Sequence, residues 1–220
     1  MDEEPRFHRV SADGPAAVGG APPALAVARG LAAGVDLRAV VLVEGISDQA
    51  ALETLADRQG RSLDAKGVSI VPIGGATNIG HFLDLLGPQG HDVRLAGLCD
   101  VGEEDHFQRG LERAGLGSNL TRADMERLGF YVCVEDLEDE LIRSLGADSV
   151  EQIVEARGRF GSFRTFQNQP AHRGREKKEQ LRDFMSNWKS HYARLLVDAL
   201  DLTQVPRPLH RVLDHVGLVE

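Results

Sequence analysis

The stretch VVLVEGISDQAAL, Val40–Leu52, runs four apolar residues into the carboxylate of Glu44, turns at Gly45 and places a second acid, Asp48, where a helix begins. RAVVLVEG reads as a strand buried on both faces. SDQAALETLADRQG reads as the helix after it, with Ser47 as N-cap, apolar Ala50, Leu52, Leu55 and Ala56, and Gly60 as its stop. Working outward, the same alternation recurs. GVSIVPIGG is a second strand before the helix TNIGHFLDLLG, VRLAGLCD a third before EDHFQRGLERAG, and GFYVCVED a fourth before LEDELIRSLG. Strands joined by helical crossovers pair in parallel, so the predicted fold class is α/β: a Rossmann-like, four-stranded parallel sheet flanked by helices.

Three segments complete the chain. Residues 1–36 (…GPAAVGGAPPALAVARGLAAG…) are rich in Ala, Gly and Pro and are expected to be a mostly disordered leader with a short helix around Ala24–Ala33. Residues 37–148 hold all four predicted strands. Residues 149–220 are expected to be a helical extension: a helix VEQIVEARG, a basic polar loop RFGSFRTFQNQPAHRGREKK, one long helix EQLRDFMSNWKSHYARLLVDAL and a last helix introduced by Pro206 and Pro208.

Bulk properties narrow the function. The 220 residues carry a net charge of −9, which argues against non-specific coating of nucleic acid but permits a local basic face or an acidic metal site. Cys99 and Cys133 stand alone, without the CxxC or Cys/His spacing of a structural zinc site, and read as buried reduced thiols. The eight histidines show no HxH or HxxxH spacing. The apolar runs are far short of a membrane span and the acidic N-terminus is unlike a signal peptide, so a cytoplasmic location is expected.

In an open parallel sheet, ligands bind where the strands end in carboxyl direction. Here those ends carry Glu44, Asp100, and Glu135 with Asp136, while the second strand ends in Gly74 and Gly75 beside Asn78. Single acids in such places are ordinary helix caps, and Asp48 or Asp136 alone would be read so. Together they would repel one another unless a cation stood between them, and hard carboxylate donors suit Mg²⁺ or Mn²⁺.

Read together, VLVEGISD, GGATNIGHF, GLCDVGEED and DLEDELI resemble the TOPRIM domain, the metal-dependent module of topoisomerases, primases and several nucleases, and within it the OLD-family nuclease branch. The likeness extends over roughly Leu37 to Val216. It implies a TOPRIM catalytic core over residues 37–148 and, for 149–220, the helical C-terminal part of the OLD-type region. It implies a metal-dependent endonuclease hydrolysing the phosphodiester bonds of DNA with two divalent ions about 4 Å apart. Glu44 would be a metal ligand or general base. Asp48 and Asp100 would be ligands, and Asp136 with Glu138 would complete a second metal position. Lys189 would face the scissile phosphate, with Lys177 or Lys178 as alternatives.

Two departures stand out. Asp100-Val101-Gly102 lacks the second acid of the family's Asp-x-Asp, which Glu103, Glu104 or Asp105 would have to supply. The GxxxxGK[ST] loop of the ATPase domain that accompanies OLD nucleases is missing, so a stand-alone TOPRIM protein is expected, with any ATPase partner a separate chain. A second copy of the chain, as a homodimer, is the other protein partner the resemblance admits. Arg173, Arg175, Lys177 and Lys178, within a wider Arg/Lys cluster interleaved with Phe160, Phe163 and Phe166, are the candidate nucleic-acid contacts, against the reading of a solvated loop whose phenylalanines pack on the core. Trp188 reads as helix packing. A catalytically weakened TOPRIM module that binds nucleic acid or a partner ATPase stays open as the second reading. A phosphatase is disfavoured, because such sheets need an Asp after the first strand.

Overall fold

The computed structural model describes residues 28, 30 and 37–217. The leader expected over 1–36 lies outside the described residues except for Ala28 and Gly30, both helical, with Ala28 buried.

Four strands, β1 (Ala39–Val43), β2 (Val68–Pro72), β3 (Arg94–Cys99) and β4 (Phe130–Val132), form one all-parallel sheet in the order β2-β1-β3-β4. The predicted α/β sheet is therefore the observed one. Residue alternation along the strands divides the core. Ala39, Val41 and Val43 of β1, Val68 and Ile70 of β2, Ala96 and Leu98 of β3, and Tyr131 of β4 face one apolar cluster. Val40, Leu42, Val71, Leu95, Cys99, Phe130 and Val132 face the other. Burial on both sides explains why these strands read as unbroken apolar runs.

The second cluster is closed by α2 (Ile79–Leu86), α3 (Glu104–Arg113) and α4 (Arg122–Arg127). The first is closed by α1 (Ile46–Arg58), α5 (Leu137–Leu145), α6 (Ala147–Ala156), α7 (Phe160–Gln167), α8 (Lys177–Met185), α9 (Lys189–Ala199) and α10 (Arg207–Gly217). The boundary drawn at residue 148 falls inside this cluster: Leu196, Val197, Leu209, Val212 and Leu213 are buried with Val41, Leu52 and Leu55.

Four local expectations are revised. The cap of α1 is Gly45, in extended backbone, while Ser47 lies inside the helix. The helix starts two residues early, and Asp48, its third residue, accepts the Gly45 N–H at 2.9 Å. The basic polar loop contains α7: Phe163 is fully buried and packs on Phe184 at 5.1 Å, so the spacing Phe160, Phe163, Phe166 is a helix face beneath the charges. The single long helix expected over 179–200 is two, α8 and α9, separated by a 3-10 turn at Ser186–Trp188. Finally, α4 has no counterpart among the predicted helices, although Thr121 and Asp124 cap each other's backbone N–H there in a T-x-x-D pattern.

Candidate metal centre

Going from β1 to β2 the chain moves one way along the sheet, and from β3 to β4 it moves the other. The strand order thus reverses between β1 and β3, the place where open α/β sheets bind ligands. Val43 is in register with Leu98, which delivers Glu44 and Asp100 side by side at the carboxyl edge. The Asp100 N–H donates to Glu44 Oε1 at 2.7 Å. The Glu44 carbonyl accepts the N–H groups of Gly74 and Gly75, both at 3.1 Å. Those two glycines hold φ of +74° and +110°, which L side chains rarely adopt, and so bring the exit of β2 against β1. Asn78 serves the same turn, donating to the Ile73 and Gly74 carbonyls at 3.0 Å each.

Around this pair stand the other acids. Asp48 is 9 % exposed and Glu138, on the first turn of α5, is 4 % exposed. Burial raises the Asp48 carboxyl to about 7 against the pull of the Gly45 N–H, with Glu138 and Glu44 adding repulsion. Burial raises Asp100 to about 8, and Glu44, Asp48, Asp136 and Glu138 all push in the same direction. Glu44 is raised by burial, against the Asp100 N–H, with Glu103 adding to the rise. These acids share one electrostatic environment. The burial of Cys99 and Cys133 likewise lifts their thiols far above the ordinary range, and they are the reduced core residues expected.

Lys189, at the start of α9, brings a cation to the cluster, with Nζ 3.3 Å from Glu138 Oε2. Burial disfavours its charge, but Glu138, backed by Asp136 and Asp100, outweighs that and holds its pKa above the usual lysine value. The two alternative lysines are engaged elsewhere: Lys177 with Asp148 and Glu151 at 2.8 and 2.7 Å, Lys178 with the buried Asp139 at 2.6 Å.

The flanking acids differ in availability. Asp136 caps α5, accepting the Asp139 N–H at 2.8 Å, and its other oxygen meets Arg182 Nε at 2.8 Å. Glu104 is held by Arg122, whose Nε and Nη2 donate to its two carboxylate oxygens. Of the substitutes for the acid missing at Gly102, Glu103 is the one that acts on Glu44, and His106 approaches it at 3.8 Å. Sequence reasoning does not single out His106, for which the three-residue spacing from Glu103 is the available signal, and it places Arg182 only within the basic cluster, not beside Asp136.

Among the described residues, no three His, Cys, Asp or Glu side chains converge closely enough to hold an ion as they stand. The donor set nevertheless fits a hard divalent cation. Glu138 Oε1 is buried with no hydrogen-bond partner, and the acids around it raise one another's pKa. Uncompensated buried carboxylates of this kind are what a cation relieves.

The candidate nucleic-acid contacts are largely paired. Arg175 meets Glu179 at 3.0 Å and also Asp183, Lys177 and Lys178 bind the acids named above, and Arg173 donates to the Asn168 carbonyl at 3.1 Å. Trp188 packs on Phe184 with ring centroids 6.2 Å apart, under the Arg159 guanidinium, yet remains 44 % exposed.

Residues 37–101, the span from Leu37 through β1 and β3 to Asp100 and Val101, match the family model described as Overcoming lysogenization defect protein-like, TOPRIM domain. Over that span the chain is similar to a TOPRIM domain of the OLD type. The C-terminal region of the Xanthomonas campestris pv. campestris OLD protein, in its platinum-phased structure, is 22 % identical with a TM-score of 0.65, covering 82 % of this chain and 92 % of that one. The C-terminal region of the Burkholderia pseudomallei OLD protein is 19 % identical with a TM-score of 0.64, covering 83 % of this chain and 98 % of that one. At such identities the likeness establishes the fold. No curated protein matches the chain significantly. A TOPRIM domain of this type supports, in general terms, a divalent-metal-binding and nuclease-like function. No helix among the described residues is long and apolar enough to cross a membrane.

Proposed function

We propose that the chain is a divalent-metal-dependent endonuclease of OLD/TOPRIM type that hydrolyses DNA phosphodiester bonds with two ions, Mg²⁺ or Mn²⁺. The observation that carries this reading is the convergence of Glu44 and Asp100 at the strand-order reversal, with Asp48, Glu138 and Lys189 around them. Glu44, Asp48, Asp100 and Glu138 would hold the ions, with Glu103 in the place of the acid missing at Gly102 and Asp136 at the second position. Bound there, divalent ions supply Lewis-acid stabilisation of the phosphate and a more acidic water. The chain's own residues do the rest. Glu44, kept on the sheet edge by the Asp100 N–H, takes the proton of the attacking water. Lys189 places a fixed positive charge where negative charge develops on the phosphate. Arg173, Arg175, Lys177 and Lys178 would exchange their present partners for backbone phosphates.

The domain assignment follows the same reading: a catalytic core over 37–148, with 149–220 contributing Lys189. A separate ATPase chain and a second copy of this chain are the protein partners proposed, and the cytoplasm the location.

Incubation of the whole chain with supercoiled plasmid and Mg²⁺ or Mn²⁺ tests this. Nicking is expected, to be abolished by EDTA and reduced at least about a hundredfold in Glu44→Gln, the usual scale for loss of a general base. Intact nicking in that variant, or none in wild type, sinks the proposal. The engagement of Glu104 by Arg122 favours one other reading, a TOPRIM module with a weakened metal site that only binds. DNA binding without nicking would select it, and tight divalent-metal binding by calorimetry, lost in Asp100→Ala, would count against it.

A further inference from the structure

The cations expected to meet nucleic acid, at 173–178, mostly face acids of their own chain. A different surface holds guanidinium groups that do not. On α3, Arg109 and Arg113 are both exposed, four residues apart and therefore on one face of the helix. Among the described residues neither forms an ion pair; the Arg113 Nε donates only to the Arg109 carbonyl, at 3.2 Å. With His106 and Glu112 they line an open groove of about 550 Å³. Glu112, the one acid in it, turns its Oε1 to the Leu120 N–H at 2.8 Å.

The groove starts at the candidate metal centre. α3 leaves Asp100 through the turn Val101–Glu103, and His106 lies 3.8 Å from Glu103. At about 1.5 Å of rise per residue, Arg109 and Arg113 stand roughly 9 and 15 Å beyond Glu103 along the axis. At the far end, the Arg113 guanidinium lies 3.9 Å from where a Cβ on Gly80 would be, against the first turn of α2, which carries no acid.

In a chain of net charge −9, two unpaired arginines in one groove that opens beside an acidic site mark a strongly local positive field. We infer that the outer face of α3, through Arg109 and Arg113, is the track for the phosphate backbone of a nucleic acid entering the metal centre. The inference rests on the function proposed above and adds the surface that presents the substrate. An arginine fork suits phosphate oxygens, and its freedom from carboxylates means that no internal pair has to be broken on binding.

The test is fluorescence-anisotropy titration of the whole chain with a labelled DNA duplex, and in parallel an RNA duplex of equal length, across a salt series in EDTA. No cutting occurs there, so binding is read whether or not the chain is a nuclease. For Arg109→Gln/Arg113→Gln the expected result is at least about tenfold weaker binding at 0.1 M salt. The slope of log K against log salt should flatten by about 1.8, roughly 0.9 for each phosphate no longer neutralised. Arg109→Lys/Arg113→Lys should retain most of the slope. An effect on either duplex supports the inference and tells which polymer is bound; unchanged affinity and slope on both overturns it. The two readings fail separately. Plasmid nicking by wild type with unaltered binding by the glutamine variant removes this one alone, and arginine-dependent binding without nicking removes the endonuclease alone.

Discussion

At the scale of single residues, the carboxyl edge of the sheet works against its own fold when no cation is present. Asp48 and Asp100 are raised to about 7 and about 8, so between roughly pH 4 and pH 8 the folded chain binds protons that the unfolded chain has released. A carboxylate raised in this sense destabilises the fold as pH rises through that window. The melting temperature in EDTA should therefore fall from pH 5 to pH 8, and Mg²⁺ or Mn²⁺ should restore it at pH 8 while doing little at pH 5, where protons occupy the same oxygens. Differential scanning fluorimetry over both pH values checks this; a melting temperature that climbs with pH in EDTA would contradict it. Neutralising one member, as in Asp100→Asn, should flatten the pH trend. At this scale the sequence is most legible. Glu44, Asp48, Asp100 and Glu138 can be placed because a strand end and a first helical turn are defined by neighbours in the chain. Glu103 and Lys189 are harder. The route of a turn sets the first, and a fold-back of some fifty residues sets the second, onto Glu138.

At the scale of elements, the first turn of α5 is the joint on which the site depends. It carries Glu138, and it is anchored through its neighbour Asp139, 1 % exposed, by Arg143 Nε at 2.8 Å and Lys178 at 2.6 Å. Lys178→Met would leave a buried carboxylate with one partner fewer and should destabilise the chain by about 1–3 kcal/mol. Lys177→Met should cost less, about 1 kcal/mol, because its partner Asp148 is solvent-exposed and its half-buried partner Glu151 keeps Arg164 at 3.3 Å. Urea denaturation of the two variants separates them; equal losses would mean that Lys178 is no more than a surface charge. The same comparison explains why the cationic cluster reads as a loop. Sequence shows Arg and Lys side chains but not the acids that α5, α6 and α8 bring to them, nor the helical period of three phenylalanines hidden among charged neighbours. Where the period is unobscured, as in α1, α2, α3 and α10, the helices fall close to their expected limits.

At the scale of the whole molecule, the strand-bearing part and the helical part share one core. The side chains of α9 and α10 complete the apolar layer over β1 and α1. A fragment ending at residue 148 would expose that layer and lose Lys189 with it. Such a fragment should fail to give a cooperative unfolding transition, while the full chain should show one transition by far-UV circular dichroism and by the fluorescence of its single tryptophan, Trp188. Two separate transitions in the full chain would argue for independent units. Sequence shows where strands stop, because strand and helix periods differ. It does not show that the later helices return to the first strand, since that depends on non-local packing.

The sheet edge also decides how the site can be dissected. Glu44 is tied to both neighbouring strand exits, through its carbonyl to Gly74 and Gly75 and through its carboxylate to Asp100. An alanine there would remove a spacer between β1 and β3 along with a charge, and a dead variant could then be dead from altered shape. Glutamine keeps an oxygen for the Asp100 N–H and takes away only the anion. The gap between those two variants would divide what this residue does as scaffolding from what it does as a reagent.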